Sequence, residues 1–580
     1  MPVRTDHRHR PPARLTAALV AVLGLLAVAG CSGGTEQQSS DGGTPGQLSV
    51  LSLGPVATWD PQRMATPQDM AFAGRTFIRT LTAHPAGPDA AARRGVVGDL
   101  ATDAGTHDKT LKVWSFTLRD GVAWQDGTPI TCDDVRYGVS RSFGNPFATE
   151  GLNYPLAYLD IPRKADGTST YTGPWAGAGQ LSYDKAVTCK GSTVTFRLST
   201  PMVDFNQVVA LPAFAPVKKA NDRGAKDPYA VFSSGPYQLK GGWDPNAGGT
   251  FVRNPHWDRA TDTIRKAGPD SVEYVEGTES QTAVQQVIND EGARKRAVTL
   301  DSAPPAMQQH VLSDDALRKR AINPTAQFVD YLAPSAASGV MRSPEVRKAL
   351  ALATNREGYV TALGGPSAAE PAYSLIGPAL PGHSDTDVIG GGPTGDTARA
   401  RTELAASGLT LPVKIRVAYR STPTADKAMA ALRNGWEDAG FSVQLQPVEK
   451  DYFETMARPG QTRRTDVFWA NWAPAWPSAS TVIPPLFDSR LNLTANGTGR
   501  DLGGFSDPAV DREISRISTI ADPTGQAVAW SRLDASLASQ GAFVALAQRR
   551  SMFIAGTSVT GLSANEALGG FLDLATVGVG

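Results

Sequence analysis

The sequence predicts an α/β protein, with antiparallel strands gathered in its first half and a parallel strand-helix-strand unit in its second. Three observations predict this. Short segments with alternating apolar residues, punctuated by Asp-Gly turns, occupy positions 113–257. Further on, "VKIRVAY" (413–419), a helix with Met429, Leu432 and Trp436 on one face, a stop at Gly440 and "FSVQLQPV" (441–448) follow in close succession. Connections that short make the two strands parallel and the crossover right-handed. Length and composition agree: 580 residues, 41% hydrophobic and 19% charged, accommodate several structural units at about 150 residues each.

The N-terminal stretch is different in kind. A basic segment (Arg4, Arg8, Arg10, Arg14) precedes an apolar run over 15–29, and Val28-Ala29-Gly30-Cys31 closes it. This pattern reads as a signal peptide over 1–31. The run is shorter than the ~20 apolar residues that span a bilayer, and no adjacent arginine pair precedes it, which favours the general secretory route. The four residues ending at Cys31 resemble a bacterial lipobox, whose cysteine sulfur carries diacylglycerol. Two or more acyl chains, at about 0.8 kcal/mol per buried CH₂, anchor a protein stably where one does not. The alternative is a secreted protein in which the cysteine is incidental. Residues 32–46, "SGGTEQQSSDGGTPG", form the Gly/Ser-rich tether that an anchored domain needs. The expected location is therefore the outer face of the bacterial cytoplasmic membrane.

Export also decides how the other two cysteines are read. In an oxidising compartment Cys132 and Cys189 are expected to form a disulfide, and without nearby histidines two thiols do not complete a tetrahedral metal site. Lys plus Arg and Asp plus Glu both number 56, so no global field draws in nucleic acid or an anionic membrane surface.

The elements of the body are justified in order. "LSVLSL" (48–53) opens the folded part as a strand, and Trp114, Phe116 and Leu118 alternate as another. Asp120-Gly121 and Asp126-Gly127 make turns, and Thr131 with Asp134 three residues on resembles a capping box opening a helix through Val135, Tyr137 and Val139. "STVTFRLSTP" (192–201) is a strand stopped by proline, and "SSGPYQLKGGW" and "TFVRNPHW" pair around a turn. Ser343-Pro344 sets an N-cap and first-turn proline for one helix continuing to Val360. "DVFWAN" (466–471) reads as a strand end, followed by an irregular loop holding Trp472 and Trp476, with Ser478 capping a short helix.

Catalytic motifs are sparse. A G-x-G-x-x-G at Gly390, Gly392 and Gly395 follows no buried strand and contains Pro393, so it reads as a loop ending at Asp396, the N-cap of the next helix. Ser182 to Lys185, "SYDK", matches S-x-x-K without its companion motifs. Neither H-E-x-x-H, a Walker G-K-[ST] nor a G-x-S-x-G elbow occurs, and no enzyme, cofactor or metal is expected. What stands out is "WANWAPAWPSAS" (469–480), three tryptophans within eight residues. Loops run over surfaces, and large apolar rings there call for a cover; a ligand closed over by a second domain supplies one.

"FTLRDGVAWQDGTPITCDDVRYGVSRSF" resembles the signature of the family 5 extracellular solute-binding proteins, the receptors of ABC importers for peptides, dipeptides and nickel. "SSGPYQL", "FVRNPHWD", "SPEVRKALALATNREGYV", "GGPSAAEPAYSLIGPALPG", "DVFWANWAPAWPSASTVIPPLF" and "GFSDPAVDREI" continue the order. The resemblance implies a two-lobed periplasmic-binding-protein-like fold with a hinge and an interlobe ligand cleft. Lobe I comprises 47–81, 211–323 and 548–580 with a subdomain inserted over 82–210, and lobe II comprises 324–547. It further implies a monomer that carries a small-molecule or peptide ligand to ABC permease subunits. Trp469, Asn471, Trp472, Ala475, Trp476 and Ser478 are the expected ligand-binding residues.

In peptide-binding members the loop equivalent to Trp472 onward carries, three residues later, an aspartate that pairs with the peptide's α-amino group, then another acid and a proline. Here those positions are Ala475, Ser478 and Ala479. A buried ammonium needs a paired charge, so the expectation is a ligand without that amine, such as a capped or cyclic peptide, or another apolar or glycan-like solute stacking on the indoles. Two other functions stay open: an extracellular sensor of the same fold without transport, and a serine hydrolase acting through Ser182.

Overall fold

Among the described residues, three sheets of four or more strands organise the fold, and each closes around its own apolar core. They belong to a computed structural model that describes residues 46–580; the expected signal peptide, Cys31 and all but the last residue of the tether lie outside the described residues.

The first sheet has five strands in the order Ala297–Thr299, Gln47–Leu51, Ser271–Val275, Gly248–Arg253, Tyr237–Asp244. Gln47–Leu51 runs parallel to both neighbours, with Leu48 opposite Val272 and Leu51 opposite both Val275 and Thr299. Its core centres on Trp59, whose ring meets Phe72, Phe77, Trp243, Phe251 and Tyr274 at centroid separations of 5.0–6.2 Å. Most of these contacts are edge-on, the arrangement favoured by the aromatic quadrupole.

The second sheet is antiparallel, in the order Thr106–His107, Val113–Thr117, Thr193–Arg197, Val187–Lys190. Period-two alternation turns Trp114 and Phe116 inward, where they pack with Val194 and Phe196. Cys132–Arg141 covers this core as a helix. Both halves of its capping box form, the Thr131 side chain accepting from Asp134 N and the Asp134 carboxylate from Thr131 N. Cys132, at its first position, is bonded to Cys189 on the edge strand, with Cα atoms 5.9 Å apart.

The third sheet is mixed: Ala369–Pro371, Val544–Arg550, Thr325–Pro334, Val467–Trp472, Val413–Arg420, Phe441–Val448. Val413–Arg420 and Phe441–Val448 are parallel, in register from Val413 opposite Phe441 to Arg420 opposite Val448. The helix between them, Pro423–Asp438, buries Ala428, Met429, Leu432 and Trp436 against the sheet. The single helix expected from Ser343 to Val360 is instead two, Pro344–Leu352 and Arg356–Leu363. The break has a local cause: Thr354 Oγ1 donates back to Leu350 O, and the Asn355 side chain accepts from Gly358 N and caps the second helix.

The chain passes between the first and third sheets twice, and the two passages lie side by side. Ala321–Ile322 pairs with Phe553–Ile554, Asn323 Nδ2 donates to Ser551 O at 2.7 Å, and Ser551 N donates to Pro324 O at 3.0 Å. Strand Val544–Arg550 runs on past position 548, where lobe I was expected to resume. No helix among the described residues is long and apolar enough to cross a membrane.

Candidate functional site

The tryptophan stretch begins inside the third sheet. Strand Val467–Trp472 extends one residue beyond the expected end, with Trp469 opposite Leu332, Asn471 opposite Asp330 and Trp472 opposite Val329. Successive strand residues point to opposite faces, so Trp469 and Trp472, three apart, diverge. Trp469 donates its indole N–H to Tyr359 Oη at 2.9 Å, and Tyr359 in turn donates to Asp330 Oδ2 at 3.0 Å. Burial and the Asp330 charge hold the Tyr359 phenol far above its ordinary pKa, so it remains the donor.

Trp472 faces a cavity of about 410 Å³, within the ~300–1,000 Å³ range of small-molecule sites. Its indole N–H donates to Thr481 O at 2.7 Å, which fixes the ring, and the Arg500 guanidinium lies 5.3 Å from the ring centroid. Segments from all three sheets contribute walls: Met70 and Ile78 beside the first, Tyr154 and Tyr158 from the second, and Leu380 with the 472–481 loop from the third. Ala475 and Trp476 also line the cavity; Trp469, Asn471 and Ser478 lie outside its lining.

Trp476 crosses from one body of the molecule to another. Although its backbone belongs to the loop after Val467–Trp472, its ring is 3% exposed and sits within the core of the second sheet. Tyr154 and Tyr158 approach it edge-on at 5.3 and 6.3 Å. The indole N–H donates to Asp204 Oδ2 at 2.8 Å, and Ser480 Oγ donates to the same oxygen at 2.8 Å. Burial, reinforced by Tyr154 and Asp204, raises the Tyr158 phenol well above its ordinary pKa. Ser478, expected to start a helix, caps a three-residue 3-10 turn, Ala479–Thr481, and its Oγ is engaged by Ser480.

Electrostatically the walls are mostly self-compensated. Arg75 forms a two-point pair with Asp573 at 2.8 and 2.9 Å, both side chains 2% exposed. Arg265 is held by Asp99 and Asp262, and against the upward push of burial the guanidinium groups of Arg265 and Arg79 drive the Asp262 carboxyl well below the usual range. Burial pushes His84 down to about 4, leaving a neutral ring whose Nδ1–H donates to Gly95 O at 2.8 Å. Among the described residues no group of three or more His, Cys, Asp or Glu side chains stands together as metal ligands would. Ser182 and Lys185 lie on helix Gln180–Ala186 and do not line the cavity.

Sequence reasoning missed Asp204, Tyr154, Tyr158 and Arg500. The tyrosines carried a signal, an i, i+4 aromatic pair in "YPLAY", whereas Asp204 and Arg500 carried none, because they are defined by partners far away in the chain.

Residues 95–492 match the family model described as bacterial extracellular solute-binding proteins, family 5 Middle. The periplasmic murein peptide-binding protein MppA of Escherichia coli (strain K12) is 26% identical over 451 residues, spanning 73% of this chain and 74% of that protein. The periplasmic oligopeptide-binding protein OppA of Salmonella typhimurium is 24% identical over 447 residues, spanning 75% and 76%. Among solved structures, clavulanic acid biosynthesis oligopeptide binding protein 2 superposes with a TM-score of 0.81 at 28% identity, covering 92% of this chain and 95% of that one. With its two-lobed α/β architecture and a model match over more than half its length, the chain belongs to the bacterial extracellular solute-binding proteins of family 5.

Proposed function

We propose that this chain is an extracytoplasmic, lipid-anchored receptor that encloses a peptide or peptide-like solute in the cavity beneath Trp472 and delivers it to an ABC permease. The observation that carries the reading is the cavity itself: about 410 Å³, walled from all three sheets and closed by Trp476 of the third seated in the core of the second. A cavity built this way fills and empties by relative movement of its walls, as in hinge closure. The paired passages at 321–324 and 551–554 are the candidate hinge. The names of MppA, OppA and the clavulanic acid biosynthesis protein support a peptide-like ligand. Lobe I over 47–81, 211–323 and 548–580, with 82–210 inserted, and lobe II over 324–547 are the moving bodies in this reading. Of the six residues expected at the ligand, Trp472, Ala475 and Trp476 are assigned to contact it, and no catalytic step is assigned to any side chain. Diacylglycerol on Cys31 would keep the receptor beside its permease, and the reading takes the receptor as a monomer.

The test is mass spectrometry of small molecules released when the purified mature protein is denatured, followed by calorimetric titration of what is found. A peptide or amide-containing solute is expected, bound at least about fivefold more weakly by Trp472→Ala, because stacking of this kind is worth about 1 kcal/mol or more. Absence of any released solute, together with X-ray scattering profiles unchanged by a panel of peptides, overturns the reading.

A further inference from the structure

The cavity's charges are compensated unevenly. Arg75 and Arg265 reach its wall but are taken up by buried aspartates behind them. Glu566, the one carboxylate in the lining among the described residues, is held by Arg93, whose Nη2 lies 2.7 Å from Oε2 and whose Nε donates at 3.0 Å. Asp204 lies outside the lining, and its Oδ2 already accepts from Trp476 and Ser480.

Arg500 is the exception. Its side chain is exposed at the cavity wall, and its guanidinium meets no carboxylate or hydrogen-bond acceptor among the described residues; it stands over the Trp472 ring and within electrostatic reach of the buried Tyr154 phenol. The backbone beneath it is nevertheless fixed. Arg500 N donates to Asn492 Oδ1 at 3.0 Å, and the next residue, Asp501, is buried with its carboxylate accepting from Gly504 N and Phe505 N. A cationic head group is thus presented from a loop fixed by its backbone, over an indole ring whose centroid is 5.3 Å away, with no acceptor for its N–H donors among the described residues.

We infer that Arg500 is the anion-binding group of this cavity, and that the solute it accepts carries a carboxylate while needing no free ammonium. This deepens the proposed function and rests on it. A planar guanidinium presents its N–H donors as a fork that can bond a carboxylate at two points. An ammonium entering the same space finds a like charge at Arg500 and no uncommitted carboxylate in the lining, so its desolvation goes unrepaid.

Four forms of one tripeptide, tri-alanine with its N-terminus free or acetylated and its C-terminus free or amidated, separate these requirements by calorimetry. The expected result with the wild-type protein is that free-acid forms bind at least about tenfold tighter than their amides, while acetylation changes affinity by less than about threefold. Arg500→Gln is expected to erase the acid-over-amide ratio without altering the melting temperature, and Arg500→Lys to restore part of it. Amides binding as tightly as acids, an acid preference that survives Arg500→Gln, or a tenfold loss on acetylation would each overturn the inference while leaving the peptide receptor intact. If none of the four binds, the peptide-like reading fails and takes the Arg500 assignment with it.

Discussion

Asp204 shows how much a single oxygen can hold together. Its Oδ2 accepts from the indole of Trp476 and the hydroxyl of Ser480, both on a loop of the third sheet, although Asp204 belongs to the body around the second. Hydrogen bonds to a charged acceptor contribute about 1.5–3 kcal/mol each, and these form only when the two bodies are together. Asp204→Ala is therefore expected to shift the unliganded protein toward an open form, seen as a larger radius of gyration in X-ray scattering, and to weaken ligand binding by about tenfold or more. An unchanged scattering profile would show that the bond pair does not govern closure. The neighbouring tryptophans carry a related lesson. They looked like one aromatic surface when read as a string, but the pleat sends Trp469 toward Tyr359 and Trp472 toward the cavity, while Trp476 leaves its own body altogether. Periodicity distinguishes the first two once the strand is known to reach Trp472. Nothing in the string announces the third.

At the scale of elements, helix Cys132–Arg141 is held at its N-terminus by two independent devices, the Thr131/Asp134 capping box and the bond from Cys132 to Cys189. Thr131→Ala removes the cap for Asp134 N, and a loss of about 1 kcal/mol is expected in denaturant unfolding. The disulfide closes a separation of 57 residues, for which the chain-entropy relation gives about 4 kcal/mol. Cys132→Ser with Cys189→Ser is expected to lower the unfolding midpoint substantially more than Thr131→Ala does, and the reverse order would contradict this account. The glycine-rich 390–395 loop is likewise settled locally. Gly390, Gly392 and Gly395 all have φ between 69° and 80°, the Asp387 carboxylate accepts from Gly390 N and Gly392 N, and Asp396 caps helix Thr397–Ala406. An Asp side chain from its own loop thus fills the space where a phosphate would sit in a dinucleotide fold.

At the scale of the whole molecule, buried carboxyls set the response to pH, with Asp330 and Glu276 raised by burial alongside three that rise furthest. Burial pushes Asp69 and Asp501 up to about 7 and Asp534 to about 6. Between about pH 4, where unfolded aspartates ionise, and pH 7, the folded protein holds protons that the unfolded chain has lost, so these groups make stability fall as pH rises. His84, lowered to about 4 by burial, acts oppositely between about 4 and 6.5, since there the unfolded chain binds the extra proton. These raised carboxyls together outweigh one imidazole, and the melting temperature is expected to decline from pH 5 to pH 7.5. Asp69→Asn should flatten part of that slope in a calorimetric pH series; a melting temperature that rises steadily to pH 7.5 would contradict the assignment of these burial effects.

Much of the architecture could be read from the sequence because its causes are local. The Thr131/Asp134 cap, the alternation of Trp114 and Phe116, the parallel unit around Pro423–Asp438 and the order of family motifs all depend on residues a few positions apart. Local signals also misled once, at Thr354 and Asn355, where a helical apolar spacing continued across a break made by side chains bonding to backbone. The cavity is another matter. Trp476 and Asp204 are 272 positions apart, Arg75 and Asp573 are 498 apart, and the freedom of Arg500 is a property of everything that does not reach it. Capping and periodicity by themselves determined most of the elements, and the order of the quoted motif segments carried the resemblance to the family. Where those elements converge, and which charges are left without a partner, was decided only in three dimensions, since contacts between distant positions leave no periodic trace in the chain.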